Sequence, residues 1–185
     1  ADLGALAKAT PGSVSYGTPG VGTPQHIAGE MFAYQAGLKM EHIPYRGGAP
    51  AVLDTVAGRT QLLFSAGTQT LAPVHAGKLR LIAVTEAKRS PLLPNVPTVG
   101  ETVPGYELSV WYGAFGPAGM DPKLVDKLNK AINAVLAKPE VVKQMGDIGV
   151  QVLQTTPQQF SRVLVHDEKK YDKLIRDLGV TVDDQ

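Results

Sequence analysis

The 185 residues include no cysteine, which excludes thiol catalysis, disulfide bridges and cysteine-ligated zinc. That absence leaves the compartment open, since periplasm and cytosol both admit such chains. An excess of either charge is missing too: 18 basic and 17 acidic side chains leave a formal net charge of +1. So even a balance gives no electrostatic footprint for nucleic acid and no polybasic patch for an anionic membrane. No run is long and apolar enough to span a bilayer. Neither an internal repeat nor a low-complexity tract occurs. No leader pattern opens the chain; ADLGALAKATPG reads as the tail of a helix, and further residues are expected ahead of it. What remains is 43% hydrophobic and 19% charged. That composition supports a packed core, and the length suits one large domain or two small ones.

Apolar spacing and turn residues divide the chain. Residues 5–9 read as a helix end closed by Pro11-Gly12, and SVSYG (13–17) as a strand. Over 23–38, Ile27, Met31, Tyr34 and Leu38 recur at helical spacing, with Thr23 as N-cap, Pro24 at the first helical position and Gly37 near the end. EHIPY (41–45) is the next strand. Residues 49–57 form a short helix with Val52, Leu53 and Val56 on one face, stopped by Gly58. TQLLFSA (60–66) is a buried-type strand, 68–76 a helix stopped by Gly77, and KLRLIAVT (78–85) alternates like a strand. The order βαβαβαβ is that of a sheet covered by helices. A Pro- and Gly-rich ordered connection follows, then ELSVWYGAFGP (107–117) as a long strand. After Met120, Asp121-Pro122 caps a helix with Leu124, Leu128, Ile132 and Val135 in one stripe. Pro139 starts a second helix, 151–154 reads as a short strand, and Thr156 to Gln159 is a capping box leading a last helix that Gly179 ends.

The stretch YGTPGVGTPQH joins the first strand to the first long helix. A helix N-terminus presents unpaired N–H groups and partial positive charge. Gly20 and Gly22 allow close backbone approach, and Thr18 and Thr23 add hydroxyl donors. Nucleotide phosphate is not supported. Gln25 stands where G-x-G-x-x-G needs its third glycine, and Thr23 stands where a P-loop needs lysine. A carboxylate is the smaller claim, and a plain tight turn is the alternative. Charged hydrogen bonds contribute roughly 1.5–3 kcal/mol each, against about 8 kcal/mol for a micromolar ligand, so one turn is half a site. FSAGT supplies a second such turn through Ser65, Gly67 and Thr68, and Tyr45-Arg46-Gly47-Gly48 a third. Arg46 can pair a carboxylate or sit in an exposed salt bridge. Such turns gather at the carboxyl ends of the strands in an α/β sheet.

Other constellations are weaker. His26 and Glu30 share a helix face, but no H-E-x-x-H surrounds them and no metal is assigned. His26 can instead point at the ligand. His42, His75 and His166 read as structural or solvent-facing. Ser65 lacks the G-x-S-x-G context of a nucleophile. Trp111 and Tyr112 either line a cleft or fill a core.

Taken in order, YGTPGVGTPQHIAGEMF, HIPYRGGAPAVLDTVAGRTQLLF, HAGKLRLIAVTEAKRSPLLPNVPTVGE and WYGAFGPAGM resemble the Bug receptors, the substrate-binding proteins of tripartite tricarboxylate transporters, over nearly the whole chain. The resemblance implies an α/β, periplasmic-binding-protein-like (Venus flytrap) lobe with a helix-covered mixed sheet, the first lobe being incomplete. It implies that 10–113 is the ligand-binding second lobe, 114–185 a C-terminal helical return belonging to the first lobe, and 1–9 a remnant of an inter-lobe helix. It further implies a periplasmic receptor without catalytic residues or cofactor, which binds a small organic acid and delivers it to the membrane subunits of the transporter. Carried over, the ligand turns are Thr18, Gly20, Val21, Gly22, Thr23 and His26, with Ser65, Gly67 and Thr68, where the family often has an acidic residue at the position of Ser65. Tyr45 and Arg46 are further candidates. The helices of 122–178 would lack their usual cover, so pairing with a second copy is expected. The alternatives are a ligand-free oligomerising fragment, or an α/β hydrolase-like enzyme using Ser65 or His26.

Overall fold

The computed structural model describes residues 2–180. They fall into two compact units, one running to Val110 and taking up the chain again from Leu178, the other Trp111–Asp177.

The first unit opens with α1 (Asp2–Ala9) and then repeats a strand–helix step three times. The steps are β1 (Ser15–Thr18) to α2 (Pro24–Ala36), β2 (Glu41–Pro44) to α3 (Gly48–Val56), and β3 (Leu62–Leu63) to α4 (Gly67–His75). The sheet order is β2-β1-β3 with both pairings parallel. Tyr16 lies opposite His42 on one side and Leu62 on the other. β1 is therefore central and covered on both faces, and Val14, Tyr16 and Thr18 are fully buried. Around them pack Ala7, Leu38 and Leu62, with Phe32, Ala36, Met40 and Phe64 at the margin. Each large apolar side chain so buried stabilises by about 1.5–3 kcal/mol. The start of α2 is set as its residues predict. The Thr23 side chain accepts from the His26 amide, and Pro24 needs no amide partner. Gly37 ends the helix at φ 61°, its N–H reaching the Ala33 and Tyr34 carbonyls. Tyr106 closes the unit over α2, its hydroxyl donating to the Ala28 carbonyl at 2.9 Å.

The second unit holds α5 (Pro122–Leu136), α6 (Pro139–Asp147) and most of α7 (Pro157–Leu178). Trp111 donates its indole N–H to Asp167 at 2.7 Å and meets the Phe160 ring edge-on at 5.1 Å. Asn129 and Asn133 both donate to the Thr155 carbonyl. The expected capping box is present. Gln159 accepts from the Thr156 amide and donates its own amide to the Thr156 hydroxyl. The α5 stripe is uncovered, with Leu124, Leu128, Ile132 and Val135 each 42–49% exposed. No described helix is long and apolar enough to cross a membrane.

Several expectations change. Residues 78–85, 107–117 and 151–154 form no strand. A strand exists only as a paired ladder, and alternation supplies the side-chain pattern without the partner. In 78–85 only Val84 is bridged, to Thr98. The sheet, expected to be mixed, is parallel among the described residues, because the long segment 107–117 does not join it. β3 is shorter than 60–66, although Gln61 and Phe64 extend its contact by donating to the Ser15 and Gly17 carbonyls. Three residues placed on the apolar faces of α2 and α3 are exposed, Tyr34 at 72%, Leu53 at 68% and Val56 at 38%. Ala28 and Ala51, smaller neighbours, occupy the buried faces instead.

Candidate functional site

Three parallel strands end at the same edge of the sheet, and each runs directly into a helix. The three turns are tied together there. Gly47 donates its amide to the Pro19 carbonyl at 2.8 Å, and Tyr45 donates to Thr18 at 3.0 Å, locking the β2 turn onto the β1 turn. The Gln69 side chain, one turn into α4, lies over Gly48 at the start of α3; a Cβ on Gly48 would fall 2.5 Å from Gln69 Nε2. Ser65 donates to Gln69 Oε1 at 2.8 Å.

Within the first turn, Gly20 has φ 149° and Gly22 φ 74°. A Cβ on Gly20 would stand 3.2 Å from the Tyr45 carbonyl, so the close approach of the two turns also calls for glycine. The Thr23 hydroxyl donates to the Gly20 carbonyl at 2.7 Å. Among the described residues, the amides of Val21 and Gln25 in this turn, and of Gly67 and Thr68 in the α4 turn, donate to no protein group. Such amides at helix starts attract negative charge. Arg46 is exposed beside them and makes no ion pair among the described residues, so its salt-bridge alternative is not realised.

Beneath the first turn lies a polar cluster in which Tyr16, Thr18 and His26 are buried and Glu30 and His42 half-buried. Gly22 donates its amide to His26 Nδ1 at 3.2 Å. An accepting Nδ1 places the imidazole proton on Nε2, which faces Glu30 at 3.7 Å. Glu30 accepts a short hydrogen bond from the Tyr16 hydroxyl. The His26 and His42 rings stack, centroids 4.0 Å apart and planes at 15°. His42 Nε2 and the Thr18 hydroxyl share a hydrogen bond of 2.7 Å. Burial lowers the His26 pKa against the pull of Glu30. Burial, with the His26 charge, brings His42 down to about 4. The same burial, with the Glu30 bond, holds the Tyr16 phenol well above its usual range. His26, Glu30 and His42 offer ligand atoms within 4.8 Å of one another, the set that could hold a metal ion. Their geometry serves a different end. Nδ1 of His26 accepts the Gly22 amide, its Nε2 faces Glu30, and Nε2 of His42 is engaged by the Thr18 hydroxyl, so these ring nitrogens already have protein partners.

The sequence-predicted residues are thus brought to one edge but differ in access. Gly20, Val21, Gly22, Thr23, Tyr45, Ser65 and Gly67 are half-buried, and Thr68 and Arg46 are exposed. Thr18 is fully buried, its hydroxyl turned to His42, and His26 is 7% exposed. The Tyr45 hydroxyl is held by Asp54 at 3.0 Å. Sequence reasoning missed Gln69 and Gly48, whose contact is not local, and it missed His42 as a partner of His26. The one available signal was the Gly47-Gly48 pair, which marks close approach as readily as a turn.

Residues 1–180 match the family model described as tripartite tricarboxylate transporter family receptor. A UPF0065 protein from the tcbD-tcbE intergenic region of Pseudomonas sp. strain P51 is 34% identical over 171 residues, covering 91% of this chain and 51% of that protein. Among solved structures, an R. palustris protein with adipate superposes with a TM-score of 0.88 at 29% identity, covering 97% of this chain and 60% of that one. The periplasmic binding protein BugD superposes with a TM-score of 0.81 at 29% identity, covering 97% and 61%. The chain spans about half the length of the curated relative and three fifths of the two solved chains.

Proposed function

We propose a function from one premise: the chain belongs to the tripartite tricarboxylate transporter receptor family. It is the ligand-binding portion of a periplasmic solute receptor, which captures a small organic acid as its carboxylate and presents it to the membrane subunits of such a transporter. Residues 10–113 form the lobe that holds the ligand, and 114–185 return to the other lobe. The observation that supports this reading is the joining of three strand-to-helix turns at one sheet edge, with free amides in two of them and Arg46 in the third. That array suits a small anion with more than one carboxylate. The amides of Val21 and Gln25, in a turn shaped by Gly20, Gly22 and Thr23, present one carboxylate-binding surface, those of Gly67 and Thr68 beside Ser65 a second, and Arg46 adds charge.

The same geometry argues for binding without chemistry. The Ser65 hydroxyl donates to the Gln69 carbonyl oxygen. An amide oxygen has no basicity with which to activate a nucleophile. His26 is held away by the Gly22 amide.

Calorimetric titration with adipate, malate and citrate, with adipamide as the uncharged control, tests the reading. Saturable binding of at least one acid, absent for adipamide, is expected. Equal or absent heats for the acids and the amide would sink it. The exposed α5 stripe supports a second element, pairing of two copies through the helices of 122–178. Light scattering decides it: a mass near 39 kDa, twice the 19.6 kDa chain, is expected, and 19.6 kDa refutes it.

A further inference from the structure

We propose that His26 is the positioning residue of the first turn: by drawing the Gly22 amide inward through Nδ1 it leaves the Val21 amide presented to the ligand, without touching the ligand itself. The inference rests on the receptor reading and assigns the work of the buried cluster beneath that site.

The geometry carries it. A loop with two positive-φ glycines has many conformations open to it, so something must select one. The Thr23 hydroxyl ties down the Gly20 carbonyl, and the His26 ring ties down the Gly22 amide. With Gly22 drawn inward to the ring, the neighbouring Val21 amide is left without a protein partner and available to a guest. The ring has neighbours on one face and at both nitrogens. His42 of β2 stacks on one face, Glu30 of α2 faces Nε2, and Tyr16 of β1 holds Glu30. These are the titratable groups that face it from the elements packed against it.

The arrangement works only for a neutral imidazole. Protonation puts a hydrogen on Nδ1, and two donors then face each other across the Gly22 contact. Burial favours the neutral form. Acidification below the ordinary histidine range therefore releases the turn, and the ligand with it.

Nitrogen NMR of the whole chain, with adipate as the probe, tests this. In the wild type, Nδ1 is expected to be unprotonated at neutral pH, the Gly22 amide protected from exchange, and its shift to follow His26 on acidification. His26→Asn keeps an acceptor oxygen near the Nδ1 position. It should retain Gly22 protection, lose the acid transition, and hold adipate affinity within about threefold. His26→Phe keeps the stacked ring and removes the acceptor. It should lose Gly22 protection and weaken adipate by about tenfold, the usual weight of one hydrogen bond at a charged site. Gly22 protection and adipate affinity both unchanged in His26→Phe would overturn the proposal. If that variant does not fold, the acid transition decides. Its persistence in His26→Asn overturns the proposal, and its loss supports it. If the wild type binds no adipate, the receptor reading is at fault, while Gly22 exchange still decides whether His26 holds the turn.

Discussion

Gly29→Ala gives the sharpest test of how the buried cluster is packed. Gly29 lies inside α2, where alanine should help by about 0.5–1 kcal/mol on backbone grounds alone. A Cβ built there would lie 2.8 Å from Tyr16 Cζ and 2.9 Å from Cδ2, and closer still to Cε2. The ring has nowhere to go. It is fully buried, stacks on His42 at 5.0 Å, meets Phe64 edge-on at 5.5 Å, and is pinned at its hydroxyl by Glu30. Overpacking of this kind costs about 1–3 kcal/mol. Taking the upper part of that range, because the clash is with a locked aromatic, and subtracting the propensity gain leaves about 1–2 kcal/mol of net destabilisation. For a chain of this size each kcal/mol shifts the melting midpoint by about 2–4 °C, so a fall of about 5 °C is expected. Thermal and urea unfolding of wild type, Gly29→Ala, Tyr16→Leu and the double variant measure it. In the Tyr16→Leu background the alanine should cost less, since the ring it meets is gone. A higher midpoint for Gly29→Ala alone would refute the packing argument.

Gly48→Ala separates stability from the site. The nearest atoms its new Cβ meets all belong to the Gln69 side chain, which is exposed and can swing away. Stability should therefore stay within about 0.5 kcal/mol. The Ser65–Gln69 hydrogen bond should be lost, and adipate affinity should fall several-fold by calorimetry; unchanged affinity would remove Gln69 from the site. Stability should also decline in acid. The His42 pKa is about 4 in the folded chain against 6.5 ordinarily, so the unfolded chain binds more protons between those values. Its contribution is complete above about pH 6.5 and is lost as pH falls toward 4. Denaturation midpoints across pH 4–7 should show that slope, and His42→Asn should flatten it. Thr156→Ala removes the α7 cap and should cost about 1 kcal/mol; urea unfolding followed by the fluorescence of Trp111, in the same unit, reads it.

The three strand–helix steps were legible in the sequence because each carries its own local punctuation. Thr23-Pro24 opens α2 and Gly37 closes it, while Gly58 and Gly77 follow α3 and α4. None of these needs a distant partner. Residues 78–85, 107–117 and 151–154 were misread for the opposite reason. Their alternation is a side-chain pattern, whereas a strand is defined by a neighbour's backbone, which local sequence does not contain. Tyr34 was misplaced because Phe32 and Ala36, not Tyr34, carry the core-facing side through the last turns of α2, although Leu38 just past the helix is buried as expected. α2 buries Ile27, Ala28 and Met31, then turns Tyr34 outward.

The site divides along the same line, and the division bears on what this segment can recognise. The glycine turn proposed to take the anion was legible because positive φ at Gly20 and Gly22 is a local demand. The support beneath them was not, since the His26–His42 stack and the Gln69–Gly48 contact join residues 16 and 21 positions apart. Backbone amides respond to negative charge and geometry and are blind to the rest of a ligand. In the proposed site, the amides of Val21, Gln25, Gly67 and Thr68 would therefore tell an acid from its amide but not one dicarboxylate from another of equal span. On that proposal, discrimination within this unit would fall to the side chains at the same edge, Arg46 and Gln69. Arg46 is free of carboxylate partners among the described residues. Gln69 has its carbonyl oxygen taken by Ser65, and its NH2, over Gly48, has no protein acceptor among the described residues. Exchanging Gln69 for glutamate should repel acids of every length, whereas shortening it to asparagine should change their ranking. The second result, and not the first, would mark it as a residue that measures the ligand.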